Sequence, residues 1–444
     1  MVGKIIIIGA GPTGLGAAYR LKELGYDNWE ILERNSYIGG LAASFKDKEG
    51  FTWDIGGHVL FSHYEYVDKV VDKLLGQEHL VHQRDAWIWL MSRWVPYPFQ
   101  NNIRHLPKDQ ILECLMGLIK VNGTRDLPSN FKEWNLRTFG TGIAKYFMLP
   151  YNSKVWAYPL ELMSQDWIAE RVSVVNIEKI LRNIVYEQDE KEWGPNSQFK
   201  FPLHGGTGGL FNRFMPYIKD HLTLNEEMIE LDLDERVARF DSGKEVAYDV
   251  LVTTVPLDQF IHRMRRPRND LLAKAAQSLR HNGVLSVGIG IKKPCPSKKC
   301  WVYFPEADCC FYRVTYFSNY SPNNVPDPND YYSLICETSY SDFKPEDKRS
   351  IVERTIEGLI KTNIISETDK NLITTTHVVE ADHAYPIPTL ERDKSLGTIQ
   401  PFLQKRGVFS TGRFGAWKYE VGNMDHSIMH GVEVIDRILR LEDN

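Results

Sequence analysis

A glycine-rich turn near the amino terminus has the spacing of a phosphate-binding motif. Gly9, Gly11 and Gly14 follow the apolar run Ile5–Ile8 in the pattern Gly-x-Gly-x-x-Gly and precede a helical pattern. Glycines allow a tight turn and a close approach of the backbone to a pyrophosphate, and the N–H groups at a helix start attract anions. Glu33 ends the next extended segment, where its carboxylate can accept hydrogen bonds from ribose hydroxyls. The spacing predicts a dinucleotide site, with a glycine turn that binds no ligand as the alternative.

The elements that must position this turn are predicted from β-branched runs and helical periodicity. They are a strand at 4–8, a helix at 14–24, a strand at 29–32, short strands between 222 and 255, a strand at 407–411 and a helix at 426–441. Because these elements lie far apart in the chain, we expect one discontinuous nucleotide-binding domain. It is predicted to consist of residues 1–85, 198–265 and 400–444.

Two further regions have patterns of their own. Residues 100–190 have mostly helical periodicity, for example at Phe131, Trp134 and Phe139. Residues 283–340 alternate apolar and polar positions and are rich in aromatic side chains, which is typical of antiparallel strands. We therefore predict an α/β protein with a Rossmann-like nucleotide-binding domain, a helical domain at 100–190 and an antiparallel β-sheet substrate domain formed by residues 86–99 and 270–399.

The composition argues against several classes of function. The 444 residues carry a formal net charge of -5, and a nucleic-acid surface needs clustered Lys and Arg instead. The run Ile5–Ile8 is too short for a membrane span or a signal-peptide core, so we expect no membrane partner. The six cysteines are scattered, with no CxxC pair and no histidine at ligand spacing. We therefore expect reduced thiols, no metal and a cytoplasmic location.

The segment after the acidic residue indicates which dinucleotide is bound. Gly39, Gly40 and Leu41 resemble the extended flavin fingerprint of the amine oxidase-like flavoproteins. The segments 205–209 and 253–256 are similar to later parts of the same superfamily. This resemblance implies that the cofactor is FAD in preference to NAD.

A more specific resemblance covers nearly the whole chain. The segment 54–63, DIGGHVLFSH, resembles the histidine loop of the eukaryotic-type UDP-galactopyranose mutases. Further segments resemble that family in the same order, at 94–102, 150–157, 170–172, 193–196, 300–305, 311–313, 318–322, 385–392 and 412–423. So many similar segments in one order are the basis of the expectations that follow.

The resemblance implies catalytic roles for His58, Arg171 and Arg313. The two arginines are expected to bind the substrate diphosphate, for which a planar guanidinium is suited, with surface salt bridges as the alternative. The loop that carries His58 is expected to move beside the flavin. Besides the glycine turn and Glu33, the implied FAD contacts are Gly40, Leu41, Gly57, His58, Arg413, Gly422, Asn423, Met424 and Ser427. The family often has glutamine at the position of Met424.

A larger set of residues is implied to line a UDP-galactose site. Tyrosine hydroxyls are expected near the diphosphate and sugar, aromatic rings near the uracil, and the segment 193–196 as a closing flap. Packing in the core is the alternative for each aromatic residue. The set is Phe61, Tyr97, Phe99, Gln100, Asn152, Trp156, Arg171, Asn196, Trp301, Tyr303, Arg313, Tyr320, Tyr385, Arg413 and Tyr419.

The implied activity is the reversible, redox-neutral isomerisation of UDP-galactopyranose and UDP-galactofuranose through an N5-sugar adduct of reduced FAD. NADPH or NADH is the implied external reductant, and assembly into a homo-oligomer is left open. One alternative is an oxygen-using flavin oxidase or desaturase on the same scaffold, such as an amine oxidase or protoporphyrinogen oxidase. Another is a non-catalytic flavin-binding or redox-sensing protein. Activity on a related nucleotide sugar, such as UDP-arabinopyranose, is a further alternative.

Overall fold

A five-stranded parallel sheet contains the strand that precedes the glycine turn. The structure is a computed structural model that describes residues 3–121, 127–168, 172–173 and 175–440. The four isoleucines of the central strand are at most 4% exposed, as expected for a parallel sheet covered on both faces. In spatial order the strands are Val408–Ser410, Val250–Thr253, Ile5–Ile8, Trp29–Glu33 and Leu222–Leu224.

Alternate residues of the central strand face two different hydrophobic cores. Ile5 and Ile7 belong to one core, and Ile6 and Ile8 belong to the other, because successive side chains of a strand point to opposite faces. Helices cover both faces of the sheet. They are Pro12–Glu23, Glu65–Leu75 and Met424–Leu439 on one face, and Leu257–His262, Asp270–Gln277 and Arg392–Gln404 on the other.

The first and last long helices approach each other without intervening side chains. A Cβ atom added at Gly431 would lie 2.1 Å from the backbone oxygen of Thr13. One added at Gly16 would lie 2.4 Å from the backbone oxygen of Ile428. The helix that begins at Met424 is therefore fixed against the helix that follows the glycine turn.

A seven-stranded sheet forms the second large layer. All its neighbouring strands are antiparallel except one pair, Trp301–Tyr303 with Ala86–Leu90, which is parallel. The pairing places Arg313 directly opposite Glu337. In spatial order the strands are Ile373–Ile387, Arg280–Ile291, Tyr332–Tyr340, Arg313–Tyr316, Trp301–Tyr303, Ala86–Leu90 and Arg93–Pro96.

The region between residues 100 and 190 is helical. One of its helices bends at Gly140, which has a φ of +69° and lies against the backbone of Gly117, where a side chain would not fit. A π-helical turn at Ala144–Met148 then continues into the next helix. The α-helices are Lys108–Val121, Phe131–Ile143, Leu149–Trp156 and Ile177–Val185.

The remaining elements are short. The further strands pair as Ser44–Lys46 with Thr52–Asp54, His79–Gln83 with Gln198–Pro202, and Glu245–Ala247, Val237–Phe240, Met228–Asp232 and Met264–Arg266 in one sheet. The further α-helices are Gly208–Asn212, Met215–Ile218, Ile351–Lys361 and Gly412–Gly415. None of the described helices combines the length and apolar character that a membrane span requires.

The predicted fold class is confirmed: a parallel nucleotide-binding sheet, a helical region and a largely antiparallel sheet are all present. The first helix begins at Pro12, two residues before its predicted start, because proline is well tolerated at the first helical position. The last residue of the predicted final helix, 441, lies outside the described residues. The division into three domains at the stated boundaries stays a prediction.

Candidate active site

The glycine turn has the geometry of an anion-binding helix start. Gly9 adopts a φ of +100°, and a Cβ atom at Gly14 would lie 1.8 Å from the backbone oxygen of Gly9. At Gly11, in contrast, the nearest atom to an added Cβ is 3.8 Å away, so a ligand can approach this residue. No side chain caps helix Pro12–Glu23, and its first turn contains no acidic residue. Its N–H groups and dipole therefore favour an anion at this end.

Glu33 lies beside this turn, where the sequence predicted it. Its carboxylate accepts hydrogen bonds from the backbone N–H of Ala10 at 2.7 Å and from the backbone and side chain of Asn35 at 2.9 and 2.7 Å. Only 4% of Glu33 is exposed. The carboxylate is thus held in one orientation at the carboxyl end of its strand, with acceptor capacity left for ribose hydroxyls.

The loop that carries His58 packs tightly against the seven-stranded sheet. A Cβ atom at Gly56 would lie 2.9 Å from Oε1 of Glu337, and one at Gly57 would lie 2.3 Å from Oγ1 of Thr315. Nδ1 of His58 is buried and makes no hydrogen bond to the described residues. Burial, reinforced by the nearby arginines, lowers the pKa of His58 to about 4. The imidazole is therefore neutral at neutral pH.

A buried ion pair lies beneath this loop. Nε and one terminal nitrogen of Arg313 donate to the two carboxylate oxygens of Glu337 at 2.5 and 2.7 Å, and the hydroxyl of Tyr312 donates to the same carboxylate at 3.1 Å. Burial alone would raise the pKa of Glu337, but Arg313 lowers it below its ordinary value. Burial likewise opposes the charge of Arg313, yet Glu337 raises the pKa of this arginine. Both groups are charged. The second terminal nitrogen of Arg313 has no hydrogen-bond partner among the described residues, so a ligand anion can bind it.

A second arginine is surrounded by aromatic rings. The guanidinium of Arg413 lies 4.9 Å from the ring centre of Tyr385 and 5.9 Å from that of Tyr419. It also donates to the backbone oxygen of Gly422 at 3.3 Å, just before the last helix. Trp156 packs edge-on against Tyr419 at 4.9 Å between ring centres. Three segments that are distant in sequence, at Trp156, Tyr385 and 413–422, thus meet at one place.

A third group joins the predicted flap to the sheet. The ring of Tyr97 lies 5.4 Å from that of Tyr303, and the guanidinium of Arg84 lies 5.1 Å from the Tyr97 ring centre. Arg84 also donates to the side-chain oxygen of Asn196 at 2.5 Å and to the backbone oxygen of Trp193. The segment 193–196 is therefore anchored at the edge of the aromatic cluster.

Known proteins with the same architecture identify the family. The model of the family described as flavin containing amine oxidoreductase matches residues 12–439. A crystal structure of reduced UDP-galactopyranose mutase is 44% identical in sequence, with a TM-score of 0.96 over 99% of this chain and 94% of that chain. The chain belongs to the UDP-galactopyranose mutases within the flavin-containing amine oxidoreductase family.

Other relatives share the fold or one segment with this mutase family member. Cyclohexylamine oxidase from Brevibacterium oxydans has a TM-score of 0.70 at 14% identity, over the full length of both chains, which shows a common fold alone. The 15-cis-phytoene desaturase of Glycine max is 33% identical over 88 residues, which are 20% of this chain. That match spans only 15% of the desaturase, so it covers a shared segment and not a whole protein.

The residues around the glycine turn fit FAD, the cofactor of this flavin-containing family. The open approach to Gly11 and the uncapped helix start suit the pyrophosphate, and the fixed carboxylate of Glu33 suits the ribose. Farther along, the buried and unbonded Nδ1 of His58 offers a polar contact for the flavin ring. Gly40 has a φ of +53°, and its Cβ position would lie 3.1 Å from the Cα of Gly11, so the fingerprint segment forms the same pocket wall.

Four buried tyrosines of the site remain protonated at neutral pH. Burial raises the pKa values of Tyr97, Tyr151 and Tyr303 above the ordinary value of a tyrosine. Burial also raises the pKa of Tyr385, and the negative charge of Glu337 adds to this effect. Their hydroxyls can therefore donate hydrogen bonds to anionic oxygens.

Several predicted substrate residues are packed in the protein interior. Phe99 is fully buried and stacks on Phe147, with ring centres 4.9 Å apart. The amide of Gln100 donates to the backbone oxygen of Ser173, and the amide of Asn152 donates to the backbone oxygen of Met148. Tyr320 is 1% exposed and Trp301 is 3% exposed, both within an aromatic core. In this structure these side chains support the site more than they line it.

The remaining predicted residues have varied positions. Arg171 lies outside the described residues, so its role stays a prediction. Phe61 contacts His63, with ring centres 5.5 Å apart. Leu41 packs at the border of two cores, and Met424 packs against the core that contains the first helix. Asn423 directly precedes the last helix, and Ser427, which is 5% exposed, lies in its first turn.

Sequence reasoning assigned no role to Glu337, Arg84 or Tyr151, which the structure places in the site. Glu337 could have been found, because it is the one charged residue in the otherwise uncharged segment 332–340. A buried carboxylate needs a partner, so such a residue indicates a cation nearby. No feature of the sequence around Arg84 indicates its role in the same way. Its hydrogen-bond acceptors are side-chain and backbone oxygens of a distant segment.

Proposed function

We propose that this chain catalyses the reversible isomerisation of UDP-galactopyranose and UDP-galactofuranose, with no net oxidation or reduction. The observation that carries the proposal is the cluster of Arg313, Arg413 and protonated tyrosines beside the His58 loop. Such a cluster suits a diphosphate, whereas an apolar substrate would leave these polar groups unpaired. The 44% identity to a UDP-galactopyranose mutase over almost the whole chain supports the same activity.

The arginines would hold the diphosphate while its bond to the sugar breaks and re-forms. Arg313 is oriented by Glu337, so its free N–H groups have a fixed direction. Arg171 would add a second guanidinium, as the resemblance implies. Fixed cations stabilise the negative charge that develops on the departing UDP and keep it close for recombination.

The neutral hydrogen-bonding groups would position the sugar and the base. Tyr303, Tyr385 and Tyr419 lie near the two arginines and can donate to diphosphate or sugar oxygens. Tyr97 and Asn196, which are both linked to Arg84, would close over the nucleoside. This closure would exclude water, which would otherwise hydrolyse the activated sugar.

His58 would contact the flavin as a neutral imidazole, because its pKa is far below neutral pH. Bound and reduced FAD would supply a nucleophile for the anomeric carbon of galactose. We further propose that NADPH or NADH reduces the flavin and that the protein functions in the cytoplasm. All six cysteines are free, which supports a reducing compartment.

The test is conversion of UDP-galactofuranose by the purified FAD-containing protein under anaerobic conditions, with and without dithionite. Chromatography separates the two UDP-galactose isomers. Conversion only after reduction would support the proposal. Absence of conversion by fully reduced protein, or oxygen consumption with an amine or porphyrinogen substrate, would exclude it in favour of an oxidase.

A further inference from the structure

Three potential metal ligands meet at a second place in the molecule. Asp258 lies in the first turn of helix Leu257–His262, and His281 and His383 lie on two paired strands of the seven-stranded sheet. Their ligand atoms all lie within 4.8 Å of one another. Asp258 and His281 line a cleft of about 770 Å³, which gives solvent access to the group.

Both imidazoles present the same ring nitrogen to the carboxylate. Nε2 of His383 lies 3.3 Å from Oδ2 of Asp258, and Nε2 of His281 lies 4.0 Å from the same oxygen. The opposite nitrogens face Asp382: Nδ1 of His281 is 3.1 Å from its backbone oxygen, and Nδ1 of His383 is 3.6 Å from its carboxylate.

These contacts determine where the protons lie. A backbone oxygen only accepts, so Nδ1 of His281 carries a proton, and in the neutral ring its Nε2 is an acceptor. The recorded hydrogen bond of His383 joins its Nε2 to Oδ2 of Asp258, so this nitrogen carries a proton when no metal is bound. A metal ion would replace the proton between His383 and Asp258, and it would bind the acceptor nitrogen of His281, which faces the same carboxylate oxygen. Hydrogen bonding of the distal nitrogen to a carbonyl or carboxylate is also the usual support of a metal-binding histidine.

We propose that Asp258, His281 and His383 bind a divalent transition-metal ion, with Zn²⁺ as the reference case. Two imidazole nitrogens and one carboxylate oxygen are a donor set of zinc sites that keep one position open. Metal–ligand bonds of about 2.0–2.2 Å place tetrahedral ligand atoms about 3.3 Å apart. The His383–Asp258 distance already has this value, and His281 has to move closer.

Metal binding requires a change in the two rings. They now stack with centres 3.7 Å apart and planes 19° from parallel, so their lone pairs do not converge on one point. Tilting of the side chains, which are 27% and 13% exposed, would bring both nitrogens to the ion. No spacing pattern in the sequence indicates this site, because any two of its three ligands are more than 20 residues apart.

A bound ion would join a helix of the nucleotide-binding part to the strands that support the active site. Asn282, next to His281, donates to the backbone oxygens of Val155 and Trp156 and accepts from the backbone N–H of Tyr385. The ion would therefore brace the strand pair behind Tyr385. Because it binds only the folded arrangement, it should raise the thermal stability of the protein.

The experiment compares zinc binding by tag-free, FAD-containing wild type with two site variants and one control. Asp258→Asn keeps the side-chain shape and its hydrogen bond from the N–H of Gln259, and His281→Gln removes one nitrogen ligand. The control is His262→Gln, because His262 lines the same cleft outside the cluster. Titration calorimetry measures the zinc equivalents, melting curves measure the stabilisation, and the flavin spectrum verifies folding.

Wild type and His262→Gln should bind one zinc equivalent more than the two site variants, or bind this equivalent at least 10-fold more tightly. Zinc should raise the melting temperature of wild type and His262→Gln, and it should not raise that of the site variants. Zinc bound by cysteines or by the group His63, Asp425 and His426 is the same in all four proteins. It therefore cancels when the zinc binding of the variants is compared. Equal binding and equal stabilisation in all four proteins would overturn the proposal. So would stabilisation by Mg²⁺ equal to that by Zn²⁺, because Mg²⁺ prefers oxygen ligands.

Discussion

The glycine turn and the arginine–tyrosine cleft are built in different ways. The turn is local: Gly9, Gly11 and Gly14 lie within six residues, and Glu33 reaches them across one strand pairing. The cleft combines side chains from strands, helices and loops that are hundreds of residues apart, such as Tyr97 and Arg413. A cofactor site can therefore be recognised from spacing alone, whereas the substrate site depends on how the second sheet is assembled.

The largest effect is expected from a substitution that removes the buried ion pair of the cleft. Arg313→Ala leaves the carboxylate of Glu337 buried without its cation, which should destabilise the protein by about 3–5 kcal/mol. It should also abolish measurable UDP binding. Denaturant unfolding and titration calorimetry with UDP measure the two effects.

The matched control for this variant is Arg213→Ala, which removes an arginine from an exposed pair with Glu78. A loss of at most about 1 kcal/mol and unchanged UDP binding are expected there. Similar losses in the two variants would contradict the distinction between a buried site pair and an ordinary surface pair.

The next effect concerns Asp54, which ends the strand Thr52–Asp54 just before the His58 loop. Burial raises the pKa of Asp54 to about 7, although hydrogen bonds from Ser44 and Thr207 oppose the shift. The folded state then holds this proton more tightly than the unfolded state, so stability should fall as the pH rises from about 4 to about 7. The fall due to this group is about 4 kcal/mol.

Asp54→Asn should remove this part of the pH dependence, and the exposed Asp27→Asn should not. Urea unfolding at several pH values gives the free energy of unfolding for wild type and both variants. If Asp54→Asn keeps the slope of the wild type, the carboxyl group of Asp54 does not carry the buried proton.

A smaller effect is expected in the nucleotide region. Glu33→Ala removes charged hydrogen bonds to the ribose and should weaken FAD binding by about 1.5–3 kcal/mol, or about 10- to 100-fold. The ratio of flavin to protein absorbance after dialysis measures the occupancy. The control is Glu30→Ala, because Glu30 lies on the same strand as Glu33 and forms only partly exposed ion pairs with Lys4 and Lys244. This variant should retain its flavin.

The smallest expected effect concerns a single hydroxyl group in the cleft. Tyr385→Phe keeps the ring beside Arg413 and removes one donor, so UDP-galactose should bind about 1 kcal/mol more weakly. Calorimetry with the oxidised protein measures the affinity. Tyr186→Phe, at a position 62% exposed, serves as the control. Equal affinity in all three proteins would remove the Tyr385 hydroxyl from the substrate contacts.

The same contrast explains what the sequence predicted. The strand–turn–helix unit, its glycines and Glu33 follow from local spacing, and the structure places them together. Arg313 and Arg413 were identified through resemblance, because no local pattern distinguishes them from other arginines. The partner of Arg313 was missed, since the pairing of Arg313 with Glu337 is set by the register of two strands. Phe99 and Tyr320 are buried in the densely packed core, which spacing along the chain does not reveal, and their contact with a ligand stays a prediction.

Rescue by FAD tests the separation of the two regions most directly. Turnover of UDP-galactofuranose is measured anaerobically with dithionite for wild type, Glu33→Ala and Arg313→Ala, with and without excess FAD. Excess FAD should restore turnover in Glu33→Ala, which has an intact cleft, and should leave Arg313→Ala inactive even when its flavin is fully bound. Rescue of Arg313→Ala by FAD, or failure to rescue a fully flavin-loaded Glu33→Ala, would contradict the assignment of cofactor binding and substrate binding to these two regions.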